Sequence, residues 1–407
     1  MKKVKLTRRD FLKMSAVAGM GLAGGLTSKP RIAKSAEKGP INILNIQPFS
    51  GPYADTGLDV SRGVRLAIDQ FGRKVLGREI RLIERDASTP GDAIRRAKEV
   101  VEKEGCEFIH VGTGSSVVLA VSEYGAKNQI IVSCAAGADK ITGEDCNKFT
   151  FRWSVPTYGC IREVVPRLIK ELKVNTFYTI TPEYVFGEDL LRNTREVLKE
   201  YNKELIGNTY HPIGESEYSS VITKAIAAKA DCVLLLNFGG DTVNCLKQAV
   251  NFGLKKVSKI CVAWGGGQTE FQALGTKVLE GIYVGQNYYH TIDNPVNKKV
   301  VAAYYEKYGV MIPFTAASGY QPVKVMLESI KRAGSTDQKK VIAAWEDYEY
   351  DGITGREVYR KCDHQCIKPY YTVRCKTEAE KKAPDDFAEI IGSSKNFLPC
   401  DKTGCKM

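Results

Sequence analysis

The stretch FIHVGTGSSVVLAVSEYGAKNQIIVSCAAG, Phe108 to Gly137, decides how this chain folds. It holds an apolar run (Phe108 to Val111), a loop of small residues (Gly112-Thr113-Gly114-Ser115-Ser116), a helical run, a second apolar run (Gln129 to Val132) and another small-residue loop (Ser133 to Gly137). Strand, tight loop, helix, strand, tight loop is the repeating unit of an open parallel sheet. Ligands of such sheets sit beyond the carboxyl ends of the strands, where loops without bulk let a ligand touch the main chain.

The same alternation extends to both sides. A strand at Ile41 to Gln47, a helix at Gly57 to Phe71, a strand at Glu79 to Arg85 and a helix at Gly91 to Glu104 lead into the central stretch. Near Phe149 to Pro156 the pattern restarts. Strands at Thr176 to Thr181, Leu205 to Tyr210, Cys232 to Leu236 and Lys259 to Ala263 alternate with helices, and three of them open loops of small or aromatic residues. The expected fold class is α/β, with two Rossmann-like parallel-sheet lobes joined by a multi-strand hinge and facing each other across a crevice. Residues 282–290, extended and aromatic, read as a return crossing. The expected division is residues 37–153 with 287–352 in the first lobe, 154–286 with 353–375 in the second, and a tail over 376–407. Asp351 to Arg360 and Tyr370 to Cys375 read as a terminal hairpin. The tail lacks a period and is expected to lie draped over a lobe and stapled.

Residues 1–36 read as an address rather than part of the fold. They carry Thr7-Arg8-Arg9-Asp10-Phe11-Leu12-Lys13, a weakly apolar glycine-rich run from Met14 to Leu26, and small residues up to Ala36. This resembles a twin-arginine signal peptide, which implies the twin-arginine export machinery as a partner and a periplasmic or extracytoplasmic destination. The address also accounts for the charge. It holds nine Lys and Arg against Asp10, so only about +4 of the formal +12 remains on the other 371 residues. A balance so small, without a basic block, implies no nucleic-acid partner.

Twelve cysteines suit an oxidising compartment. Cys106, Cys232 and Cys261 lie in or beside apolar runs and read as buried small hydrophobes. Cys362, Cys366, Cys375, Cys400 and Cys405 crowd the end of the chain, where at least one disulfide is expected. Cys134 and Cys146 read as a pair that closes the loop between them, with Cys160 as another partner. Zinc is the competing use of the terminal cluster, but its spacings are wide and His364 is the only imidazole nearby.

Little in the sequence points to catalysis. Gly-x-Ser-x-Gly, His-Glu-x-x-His and the Walker loop are all missing, and the four histidines are scattered. Gly112-x-Gly114 lacks the third glycine of a dinucleotide loop, so no cofactor is expected. Binding fits better. Ser115 and Ser116 at a helix start can cap the helix, hold an electron-rich oxygen of a ligand, or divide the two tasks. Ala135 and Ala136 would add backbone contacts. Tyr184, Phe186 and Phe238 would form an aromatic wall from the facing lobe, with Tyr53 and Trp264 at the crevice mouth and Gly266 in the neighbouring loop.

These residues, with Phe49-Ser50-Gly51-Pro52-Tyr53-Ala54, Glu183-Tyr184-Val185-Phe186-Gly187, Phe238-Gly239-Gly240 and Asp363-His364-Gln365, resemble in order and spacing the periplasmic binding proteins that deliver branched-chain amino acids, amides, urea and small organic acids to ABC permeases. The resemblance spans about Ile41 to Cys375. It implies capture of a small solute without chemistry, ABC permease membrane subunits as partners, and a carboxylate gripped by Ser115 and the Ala135-Ala136 loop. It also implies an aromatic ring, Phe186 or Phe238, facing the ligand from the second lobe. Two departures bear on the solute. Gly137 stands where amino-acid binders commonly carry threonine, and the loop Gly265 to Gln268 lacks the acid that would neutralise an α-amino group, leaving Asp241 as a substitute. The alternatives are an amide- or ligand-sensing regulator of the same fold, and a redox or metal protein built on the terminal cysteines.

Overall fold

The computed structural model describes residues 39–407; the expected export address lies outside them. The first lobe is built on β1 (Ile41–Gln47), β2 (Lys74–Val75), β3 (Arg78–Asp86), β4 (Phe108–Val111), β5 (Ile131–Cys134) and β6 (Thr150–Arg152), in the order β2-β3-β1-β4-β5-β6. All neighbours run parallel except β2 and β3. The inner strands β1, β4 and β5 are buried along their whole length, as expected of a sheet covered on both faces, whereas outer β3 is only partly buried. The connecting helices are α1 (Ala54–Gln70), α2 (Pro90–Glu104) and α3 (Ser115–Asn128).

The second lobe repeats this design. Its strands are β7 (Thr176–Pro182), β8 (Glu204–His211), β9 (Cys232–Leu235), β10 (Lys259–Val262) and β11 (Tyr283–Gln286), connected by α4 (Thr157–Leu172), which precedes β7, then α5 (Val185–Glu200), α6 (Ser219–Ala228), α7 (Gly240–Asn251), α8 (Gln268–Leu274) and α9 (Thr276–Leu279). The chain then returns to the first lobe with α10 (Pro295–Tyr308), α11 (Phe314–Ala333) and α12 (Gln338–Trp345). Helix α11 lies against α1 at backbone distance. A Cβ on Gly63 would come within 1.8 Å of the Ala316 carbonyl oxygen, and one on Gly319 within 2.1 Å of that of Val60, so only glycine fits at either position.

The terminal hairpin expected from the sequence does not form. β12 (Glu349–Gly352), β13 (Gly355–Tyr359) and β14 (Cys366–Ile367) make a small antiparallel sheet of their own, whereas β15 (Tyr370–Cys375) joins the second-lobe sheet beside β11. Aromatic packing explains the separation. Phe151 stacks on Trp345 at 4.3 Å and on His364 at 3.9 Å, with Tyr359 at its edge, so residues 353–367, expected in the second lobe, pack against the first. The tail is more regular than its composition suggests, because β16 (Ala388–Ser394) pairs antiparallel with β15 and gives the second sheet the order β16-β15-β11-β10-β9-β7-β8.

Two disulfides hold the tail, Cys146–Cys405 and Cys362–Cys400, with Cα atoms 5.5 and 6.0 Å apart. The terminal staple is therefore present, but the pairing of Cys134 with Cys146 is not. Cys134 ends β5 inside the core, Cys160 approaches the Ala263 carbonyl at 3.2 Å, and the other free cysteines, including Cys366 and Cys375, are also buried. Thiol titration of the denatured, unreduced protein should find eight free thiols, and twelve after reduction; twelve before reduction would contradict the pairing.

Candidate functional site

The carboxyl ends of both sheets face each other. From the first lobe come Thr56 at the start of α1, the loop Gly112 to Ser115 after β4, and Ala135 to Gly137 after β5. From the second come Tyr184 and Phe186 after β7, Phe238 after β9 and Trp264 after β10. Together with Phe314, Thr315 and Ser318 of α11, these residues enclose a cavity of about 30 Å³. That is room for about two waters, so the lobes stand closed here and must part before a solute enters.

The rings form a connected set. Phe186 meets Trp264 edge-on at 5.3 Å and Phe238 at 6.5 Å, and Tyr184 lies 5.8 Å from Phe186. Trp264 reaches across to Phe314 of the first lobe at 6.0 Å. Gly137 makes the approach possible. A Cβ there would stand 2.7 Å from Phe186 Cε2 and 2.9 Å from Trp264 Cη2, closer than real Cβ atoms come to any neighbour. The threonine expected at this position in amino-acid binders would not fit this closed arrangement.

Polar groups at the cavity are uncharged. Ser115 is buried, and its Oγ accepts the Ala138 N–H at 3.2 Å; it does not cap α3, whose N-cap is Gly114. The first turns of α3, α5 and α11 all reach the cavity through Ser115, Phe186, and Phe314 with Thr315. Helices α3 and α11 thus start at the first-lobe wall of the cavity and α5 at the second-lobe wall; the Thr315 N–H is taken by the Gly266 carbonyl at 3.4 Å, and the positive dipole ends of the helices favour an anionic ligand group.

The acids nearby stand behind this wall. Asp59 Oδ2 accepts Thr269 Oγ1 at 2.7 Å from the second lobe and Thr315 Oγ1 at 3.0 Å from the first. Asp241, the expected substitute partner for an ammonium, accepts Tyr53 O–H at 3.0 Å and Gly214 N–H at 3.0 Å, and is not part of the cavity wall. Glu270 accepts Gly239 N–H at 2.9 Å and Gly266 N–H at 2.7 Å, so it ties together the loops that carry Phe238 and Trp264. Burial raises the pKa of all three, that of Glu270 to about 8.

The Glu270 shift has a sign that can be tested. Below its ordinary value of about 4.5 the carboxyl is protonated in both folded and unfolded chains, and between that value and about 8 only the unfolded chain ionises. Its contribution to stability therefore declines as pH rises through this window. Urea unfolding should show wild-type stability falling from pH 5 to pH 8 and a smaller decline in Glu270→Gln; equal slopes would contradict the assignment.

Of the residues expected from sequence, Ser115, Ala135, Ala136, Tyr184, Phe186 and Phe238 line the cavity. Tyr53, Ser116 and Gly266 do not. Tyr53 bonds Asp241 beyond the ring wall, Ser116 follows the turn away from the cavity, and Gly266 is drawn back by Glu270. Sequence reasoning missed Thr56, Phe314, Thr315 and Ser318. Pro313 before the helix and the small residues Thr315-Ala316-Ala317-Ser318 were the available signal, the same kind of helix start as at Ser115. Among the described residues no group of three or more His, Cys, Asp or Glu is placed to hold a metal.

Comparison with known proteins agrees with this architecture. The sequence pattern of a family described as periplasmic binding protein matches residues 40–382. Leu/Ile/Val-binding protein homolog 7 of Brucella abortus (strain 2308) is 27% identical over 321 residues, covering 74% of this chain and 79% of the relative. An amino acid ABC transporter substrate-binding protein from Pseudomonas fluorescens Pf-5 superposes with a TM-score of 0.86 at 40% identity, covering 91% of this chain and all of that one. A periplasmic binding protein from Burkholderia mallei gives 0.85 at 27% identity, covering 90% and 98%. With paired parallel sheets closing on an interlobe cavity and a family match over most of its length, the chain belongs to the periplasmic binding protein family.

Proposed function

We propose that this protein is the extracytoplasmic solute-binding component of an ABC importer and that it captures a small carboxylate-bearing solute with an apolar body by lobe closure. The observation that carries the proposal is the cavity wall: the Ser115 loop and the starts of α3 and α11 on one side, aromatic rings and the start of α5 on the other, and no charged side chain between them. A carboxylate meets N–H groups there. An ammonium would meet only hydroxyls and carbonyls in the wall, because the nearest acids already have partners behind it, Asp59 in Arg62, Thr269 and Thr315, Asp241 in Tyr53 and Gly214, and Glu270 in two backbone N–H groups, and a buried unpaired charge is costly. The open form binds, closure buries the solute, and the closed pair of faces is what permease membrane subunits recognise. The solute leaves unchanged, as no nucleophile–base pair faces the cavity. Export by the twin-arginine machinery to the periplasm is part of this proposal and rests on Arg8-Arg9 and the run Met14 to Leu26.

An amino acid is the second reading, favoured by the 40% identity to a protein described as an amino acid ABC transporter substrate-binding protein. Calorimetry with matched pairs, 4-methylpentanoate against leucine and 3-phenylpropanoate against phenylalanine, separates the two. The proposal expects the acids lacking the amino group to bind more tightly and the corresponding methyl esters not to bind. Tighter binding of the amino acids moves the conclusion to the second reading, and binding of the esters as well as the acids overturns the carboxylate assignment.

A further inference from the structure

The chain passes between the lobes at residues 153–156, 287–294 and 368–369, between elements already described. The tail passes once more. Its β16 is hydrogen-bonded into the second-lobe sheet, whereas Cys400 and Cys405 are bonded to Cys362 and Cys146 of the first lobe. The transit is short. The Asn396 carbonyl packs so closely on Gly159 of α4 that a Cβ there would lie 2.3 Å from it, and two residues later the Leu398 carbonyl accepts Arg360 Nη1 at 2.8 Å. Beneath it lies a chamber of about 400 Å³ between the lobes, walled by Arg152 and Arg360 from the first, Tyr158 and Arg192 from the second, and Phe397 and Leu398 of the tail itself.

We propose that residues 395–407 are a fourth, covalently fixed crossing that restrains how far and how often the lobes separate. Two residues span at most about 7 Å when fully extended, so the segment from Asn396 to Leu398 offers little slack once its ends are held. Movement that widens the chamber must break the Gly159 or Arg360 contact, or pull against the disulfides. The inference rests on the proposed opening and closing of the lobes, and deepens it by naming what limits the motion.

Hydrogen exchange in the solute-free protein tests this without depending on any solute. Two amides report on lobe separation, Asp139 N–H to Asp189 Oδ2 at 2.8 Å and Thr157 N–H to the Gly137 carbonyl at 2.9 Å, because each has its partner on the other lobe. Inserting about six Gly and Ser residues between Asn396 and Phe397 adds roughly 13 Å of reach and leaves both disulfides in place. The expected result is about tenfold faster exchange at both amides, with β4 and β9 unchanged, and solute affinity reduced about threefold to tenfold. A variant with Cys146, Cys362, Cys400 and Cys405 all changed to Ser should show the same acceleration. Exchange within twofold of wild type in the insertion variant overturns the proposal. Acceleration in the Cys→Ser variant alone overturns it too, since the disulfides would then act within the first lobe. If no solute binds to any variant, the solute reading fails while the exchange result still decides the tether.

Discussion

Gly137→Leu should leave both lobes folded and lower solute affinity at least about a hundredfold. The argument is steric and local to the interlobe contact. A Cβ at 137 would fall within 3 Å of Phe186 and Trp264, and a leucine would project further into the same rings. Those rings stand on the opposing lobe, so the strain is relieved by the lobes standing apart, without rearrangement of either core. A bias of about 2.7 kcal/mol toward the open form is enough for a hundredfold loss, because apparent affinity scales with the population able to close. Gly137→Ala should show the same effect in milder form, about tenfold. Calorimetry measures the loss and circular dichroism checks the fold; affinity within twofold of wild type in Gly137→Leu would contradict the closure geometry.

Ser115→Trp should be comparably severe for a different reason. Ser115 faces the cavity from the first turn of α3, and an indole there would occupy the space meant for the solute and displace the hydrogen bond that holds Ala138 N–H. Loss beyond a hundredfold is expected, with retained helical signal. Ser115→Ala keeps the space and removes the hydroxyl, leaving a buried N–H unpaired, an effect of about 1–3 kcal/mol. Ser116→Ala, one residue along and outside the cavity wall, should bind within twofold of wild type. Equal losses at 115 and 116 would mean that the helix start acts as a whole and not through the Ser115 side chain.

Much of this was legible in the sequence because the local signals are strong. Short, mainly apolar runs such as Phe108 to Val111 and Cys232 to Leu235 mark strands buried on both faces, and the loops after them mark the ligand edge. What escaped was contact between distant segments. Nothing near Asp351 to Cys375 tells that Phe151 and Trp345 will draw β13 to the first lobe while β11 takes β15 into the second. Tyr53 read as a ligand-facing ring at the crevice mouth because it is aromatic and sits in the right loop, and its hydroxyl there finds Asp241 on the other lobe. Gly137 read as a departure from the threonine of amino-acid binders, and only the placement of Phe186 and Trp264 gives the reason. Disulfide partners 259 residues apart, as for Cys146 and Cys405, leave no trace in local spacing.

The central claim is that two lobes close on a small solute, and small-angle X-ray scattering measures it directly. Scattering should be recorded as the protein is titrated to saturation with the tightest-binding acid of the calorimetric panel. The account predicts a radius of gyration that falls with the same midpoint as binding. A profile that stays constant through saturation would contradict it.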